Sequence, residues 1–278
     1  MRPPTDANPL VGDGDPGGSP AAPVLRPLDG LPAWSDVLAV VAHPDDESFG
    51  LGALLSSFVA AGSRVSLLCL TRGEASTLHG VEGDLGTIRA RELSDAAAAL
   101  GISRVRLAAF PDGGLAGVDL DVLAAEIADF AGDTRMDGII AFDLDGVTGH
   151  PDHCRATEAA MAFASRVGLP VLGWVLPHDV AATLNAEFGA DFSGFGRTSI
   201  DLRVAVDRAP QRAAIDLHRS QALPGQALWH RLELSGAEEC ARWQDPAPAP
   251  RSSGQIPTTK SGPVDTTATT NAATLSTR

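Results

Sequence analysis

The first uninterrupted apolar run in the chain is residues 37–42, VLAVVA. It is too short for an ordinary helix and apolar on both faces, as expected of a strand buried inside a parallel sheet. Residues 48–61 then place Leu51, Leu54, Leu55 and Phe58 at three- and four-residue spacing, predicting a core-facing helix closed by Gly62. The same alternation continues, with strands predicted at 64–70, 105–110, 138–142 and 171–176. Helices are predicted at 88–100, 119–131 and 151–167, the last with Pro151 at an early helical position. Residues 177–198 show no period, 199–206 (SIDLRVAV) alternate like a half-buried edge strand, and 207–218 read as a helix. Strand–helix–strand units of this kind imply right-handed crossovers, so the predicted fold is α/β and Rossmann-like, a mostly parallel sheet flanked by helices. Aperiodic Pro, Gly, Ala, Ser and Thr at the two ends divide the chain into an unstructured segment 1–34, an α/β domain 35–243 and an unstructured tail 244–278.

Two polar clusters punctuate this pattern. The first strand breaks directly into His43-Pro44-Asp45-Asp46-Glu47-Ser48, and the strand at 138–142 leads to Gly149-His150-Pro151-Asp152-His153. Both stand at carboxyl ends of predicted strands, the edge at which open α/β sheets bind ligands. A His and an Asp three apart on a turn can reach one cation, and adjacent carboxylates such as Asp45 and Asp46 point apart, one free to hold a metal while the other faces substrate. The His-x-x-His spacing of His150 and His153 puts two imidazoles on one face of a first helical turn. Each cluster alone is equally a helix start, with Asp46 or Ser48 as cap. Together, two His and one Asp with a fourth position left to water make the composition of a catalytic Zn²⁺ centre, and Fe²⁺ or Co²⁺ suits the same donors.

Composition narrows the chemistry. A net charge of −14 leaves no basic patch for nucleic acid. No apolar run approaches a membrane span and the N-terminus lacks a signal-like hydrophobic region, which together predict a cytoplasmic protein. Cys69, Cys154 and Cys240 form no CxxC pair, which fits reduced thiols, with Cys154 either approaching a metal through its neighbour His153 or simply packing in a helix. The only lysine is Lys260 and tyrosine is absent, excluding Schiff-base, P-loop and tyrosine acid–base chemistry from the predicted domain.

The run AHPDDE after a strand, the later GHPDH, Arg89-Ala90-Arg91-Glu92-Leu93 leading to Leu100-Gly101, Phe110-Pro111-Asp112-Gly113-Gly114-Leu115 and His218-Arg219-Ser220-Gln221 occur in this order. Between about Asp36 and Gln221 the chain resembles the LmbE-like or PIG-L family of zinc-dependent N-acetylglucosaminyl deacetylases. The resemblance implies an N-acetylated sugar conjugate as partner, His43, Asp46 and His153 as metal ligands, Asp45 as general base and His150 as general acid. It implies that Arg89 and Asp112 contact the sugar, although on spacing alone Arg89 is equally a solvated helix charge and Asp112 a turn residue. Asp143 or Asp145 is expected either to orient a histidine or to be a plain loop carboxylate, and His79, in the polar loop 71–87, to contact substrate or solvent. The late His218 reads as structural. One departure stands out, since Thr148 occupies the position two before His150 where a sugar-conjugate deacetylase group carries tyrosine. A reading from another class is a non-catalytic α/β domain binding sugar or a hard cation through Asp45, Asp46 and Glu47.

Overall fold

The buried run becomes strand β1, Asp36–Val41, at the middle of the sheet. The computed structural model describes residues 30–77 and 81–244, all within the unit Met1–Ala247. His79, and residues 1–29 and 245–278 of the segments expected to be unstructured at 1–34 and 244–278, lie outside the described residues, whereas Gln244 ends a strand. Along the chain follow α1 (Asp46–Phe49), α2 (Gly52–Ala60), β2 (Arg64–Thr71), α3 (Leu85–Ala99), β3 (Arg104–Phe110), α4 (Leu120–Ala131) and β4 (Gly138–Phe142). Then come α5 (Pro151–Val167), β5 (Val171–Pro177), α6 (His178–Phe188), β6 (Gly194–Phe195), β7 (Leu202–Ala205), α7 (Arg208–Ile215), α8 (Ala227–Ser235) and β8 (Glu238–Gln244).

The sheet order is β3-β2-β1-β4-β5-β8-β7, with β6 pairing onto β5. Strands β1 to β5 run parallel, and β8 and β7 are added antiparallel. Alternation along β1 explains why it is apolar throughout. Val37, Ala39 and Val41 enter one core with Leu54 and Phe58 of α2 and Leu93 of α3, whereas Leu38 and Val40 enter the other with Leu123 and Ile127 of α4 and Ala160 of α5. The chain leaves β1 toward β2 on one side and returns through β4 on the other, so a topological switch point falls between β1 and β4, where a crevice opens at the carboxyl edge.

Three differences from the predicted elements have physical causes. The helix expected over 48–61 is interrupted at Gly50, where a Cβ would sit 2.5 Å from Phe142 Cε1 and 3.2 Å from Trp174, so the break admits two aromatic rings against the backbone. Helix α6 falls in the segment that shows no period because it buries only the short stripe Val180, Ala181 and Leu184. Strand β8, EECARWQ, hides its register because two of its buried positions are polar. Glu239 pairs with Arg231 at 2.7 Å and with Arg208, and Gln244 donates to Asp143 at 2.6 Å. Among the described residues, no helix is long and apolar enough to cross a membrane.

Candidate metal centre and active site

The turn after β1 is built against local preference. Asp45 adopts φ 135°, a left-handed-side value that non-glycine residues rarely hold. Ser48 and Phe49 both donate backbone N–H groups to its carbonyl, and Asp45's own N–H donates to Glu47 at 3.0 Å. The opposite loop carries the second such residue, Val147, β-branched at φ 59° and fully buried. Non-glycine strain among the described residues is thus confined to the two loops that flank the crevice.

These loops bring the sequence clusters together. His43 Nδ1 lies 3.1 Å from His153 Nε2, and Asp46 places one carboxylate oxygen 3.2 Å from His153 Nε2 and the other 3.7 Å from His43 Nδ1. Two imidazole nitrogens and a carboxylate sharing a tetrahedral ion at about 2.1 Å would be about 3.4 Å apart, so the donor set fits a metal of the zinc type. The outer nitrogens are held as metal-ligating histidines require. His43 Nε2 faces Asp112 Oδ1 at 3.1 Å and Asp152 Oδ2 at 3.4 Å, and His153 Nδ1 meets the Gly146 carbonyl at 3.1 Å and the Thr148 hydroxyl at 2.9 Å. Two wider groupings of possible ligands, His43 with His150 and His153, and His43 with Asp112 and Asp152, also converge within 4.8 Å, and both run through His43.

The electrostatics favour a cation at this spot. Burial alone would lower the His43 pKa, but Asp112, Asp152, Asp46 and Asp45 outweigh it and raise it to about 10. The field that would protonate His43 is the field that attracts a metal ion. Asp46 is driven down from the ordinary carboxylate range, burial being outweighed by His153 and His43, while its Oδ2 also accepts the His43 N–H at 2.9 Å. Asp45 is raised to about 6, mainly by burial and by Asp46, against the pull of Arg89. His150, exposed at the rim as the N-cap of α5, is held below its usual value by partial desolvation and then by His43 and His153. Its ring centroid lies 4.8 Å from that of His43 and 5.0 Å from that of His153.

Arg89 and Asp112 line the cavity, yet their present partners are protein. The Arg89 guanidinium is buried and bonds Asp45 Oδ2 at 3.1 Å, the Gly73 carbonyl at 2.8 Å and the Pro44 carbonyl. Asp112 accepts from Ala75 N at 2.7 Å besides facing His43. Asp143 and Asp145 do not orient the histidines. Asp143 turns to Gln244 and Arg242 of β8, and Asp145 accepts from Val147 N at 2.9 Å. Sequence reasoning missed Asp152, fully buried and accepting from Gly113 N at 2.8 Å and Leu115 N at 3.0 Å. Its signal was present in GHPDH, where a carboxylate stands between two histidines at a helix start. Missed too were Phe142, Trp174 and Arg231, which line the cavity from distant segments that only tertiary structure unites. His218 is structural, fully buried with Nε2 2.6 Å from Glu47.

Fold and site together define an α/β domain carrying a histidine–carboxylate metal-type centre at its topological switch point. The family profile PIG-L: GlcNAc-PI de-N-acetylase matches residues 38–164. A 1D-myo-inositol 2-acetamido-2-deoxy-alpha-D-glucopyranoside deacetylase of Nakamurella multipartita is 32% identical over 251 residues, covering 70% of this chain and 84% of its own, and with this match the chain belongs to the PIG-L family. A deacetylase of the same name from Kineococcus radiotolerans is 32% identical over 191 residues, covering 56% of this chain. The chain spans about half of that relative's length, 53%. Among solved structures, the A40926 pseudoaglycone deacetylase superposes with a TM-score of 0.60 at 19% identity, covering 77% of this chain and 98% of that one, which shows the shared LmbE-like fold.

Proposed function

We propose that the protein is a metal-dependent amidohydrolase that removes an acetyl or other acyl group from the amine of an N-acylglucosaminyl small molecule, of the glucosaminyl-inositol type named for its relatives. The observation that carries this reading is the mutual approach of His43 Nδ1, His153 Nε2 and the Asp46 carboxylate at the switch point. These three residues would hold the ion, zinc by donor type, which when bound supplies Lewis-acid polarisation and acidification of water.

The remaining chemistry falls to the chain itself. Asp45, with its pKa near 6, is ionised at neutral pH yet basic enough to take a proton from the attacking water. The water oxygen bonds to the acyl carbon, the carbon–nitrogen bond breaks, and His150 delivers a proton to the departing nitrogen. A lowered pKa makes the His150 imidazolium a stronger acid, at the expense of a smaller protonated fraction at neutral pH. Arg89, held by Asp45 and two backbone carbonyls, orients Asp45 beside the sugar, and Asp112 at the same side of the cavity meets the sugar hydroxyls. Thr148, two positions before His150, meets His153 Nδ1 with its hydroxyl at 2.9 Å and so orients that ring.

Metal analysis of the purified protein, with acyl release from a panel of N-acetylglucosaminyl compounds measured with and without chelator, tests the proposal. Stoichiometric zinc with chelator-sensitive release is expected. Metal-free protein, or release indifferent to chelator, would refute it.

A further inference from the structure

The cavity, about 590 Å³, is polar where it meets His43 and Asp45 and apolar where it meets His153, and those two imidazoles lie 3.1 Å apart. At the polar end Asp112 faces His43, Arg89 faces Asp45, Ala75 N donates to Asp112, and Ser76 donates to Gln221 at 2.8 Å. At the apolar end the Phe142 ring stands edge-on to His153 with centroids 4.9 Å apart, Trp174 tilts against Phe142 at 5.0 Å, and Phe192 and Leu228 also line the cavity. Thr148 and His150 flank His153 on this side, and beyond them Arg231 is already paired, donating to Glu239 at 2.7 Å and to the Phe49 carbonyl. It lies over Trp174 at 5.2 Å from the ring centroid and adds its flat face to the wall rather than a free donor.

A secondary amide is trans, so its two substituents leave the scissile bond in opposite directions. With the sugar at the polar end, the acyl substituent must enter the aromatic end. A methyl group would cover little of the Phe142–Trp174 surface, with Phe192 and Leu228 lining the same cavity. We propose that this end is an acyl-chain compartment and that the preferred substrate carries a linear aliphatic N-acyl group longer than acetyl. The inference rests on the amidohydrolase reading. Hydrolysis adds water across the amide and releases a fatty carboxylate and the free amine, with no further reactant.

Zinc-loaded protein tests this in two ways. In turnover, butanoyl and hexanoyl derivatives of one glucosaminyl amine are compared with the acetyl derivative by amine release. In binding, acetohydroxamate and hexanohydroxamate are compared by calorimetry, which needs no turnover. Each methylene buried gains about fourfold (~0.8 kcal/mol), so the butanoyl derivative should exceed acetyl in kcat/KM by about tenfold, and hexanohydroxamate should bind at least about tenfold tighter than acetohydroxamate. Leu228→Trp should cut the hexanoyl preference by about tenfold or more relative to acetyl. Affinity flat or falling with chain length, or a preference that survives Leu228→Trp, would overturn the compartment. Tighter hydroxamate binding with chain length but no amine release from any derivative would sustain the compartment and overturn the hydrolase reading instead.

Discussion

His43 and His218 are both buried and both lie against carboxylates of the same turn, yet their surroundings differ in one decisive respect. His43 presents Nδ1 to a second imidazole and to Asp46, and Nε2 to Asp112 and Asp152. His218 presents Nε2 to Glu47 at 2.6 Å, while its Nδ1 has no partner and its ring stands edge-on to Phe49. A buried histidine–carboxylate pair is an ordinary way to satisfy a polar group. What marks a ligand is a second nitrogen acceptor facing the first across a gap too short for two N–H groups. Asp45, Asp46 and Glu47, consecutive in sequence, accordingly serve three different partners, namely Arg89, the His43–His153 gap and His218.

The sharpest break of this comparison removes the facing imidazole. His153→Ala should abolish stoichiometric metal and reduce amide hydrolysis to background, read by metal analysis and amine release on the same preparation. Asp45→Asn should keep the metal and lower kcat by about 10²- to 10⁴-fold, the span of general-base catalysis. Equal metal loss in both variants would reverse the roles of the carboxylate pair. The wild-type pH profile sharpens the same point. Asp45 accepts a proton only when ionised, so kcat/KM should fall about tenfold per pH unit below about 6, the value to which burial raises it against Arg89. Arg89→Gln removes that opposing charge and should move the acid limb upward; an unmoved limb would mean that another group titrates there.

On the structural side of the comparison, Glu47→Gln should leave metal stoichiometry intact and lower stability. Weakening a fully buried histidine–carboxylate hydrogen bond costs about 1.5–3 kcal/mol, measurable by denaturant unfolding of the metal-loaded protein. Loss of metal with unchanged stability would place Glu47 with Asp46 instead.

How far all this could be read beforehand divides along the chain. The parallel half from β1 to β5 was legible because its strands are buried on both faces and its helices carry full apolar stripes, so period alone locates them. His43, Asp45, Asp46, His150 and His153 were legible because they punctuate that pattern at strand ends. The antiparallel addition was not, since β8 buries Glu239 and Gln244 against Arg208, Arg231 and Asp143, all of them remote in sequence. The aromatic end of the cavity was illegible for a related reason. Phe142, Trp174, Phe192 and Leu228 come from separate segments, carry no chemical signal in sequence, and only the fold shows that they line one cavity.

The gentlest test asks how His43 is held. Two carboxylates face its Nε2, Asp112 at 3.1 Å and Asp152 at 3.4 Å, but they are anchored differently. Asp152 is fully buried and takes two backbone N–H groups, whereas Asp112 lines the cavity and, among the described residues, takes one, that of Ala75. Removing one orienting carboxylate beside a ligand histidine typically costs 10- to 100-fold in metal affinity. Asp112→Asn should fall at the low end, about tenfold, because Asp152 still fixes the ring, and it should raise KM for a glucosaminyl substrate as well. Asp152→Asn should fall at the high end with no separate KM effect, since its carboxylate is sealed from the cavity. Competition with a chelator of known affinity measures the first quantity and steady-state kinetics at saturating zinc the second. If Asp112→Asn weakened metal more than Asp152→Asn and left KM unchanged, Asp112 would belong to the metal centre alone and the sugar would have to be held elsewhere.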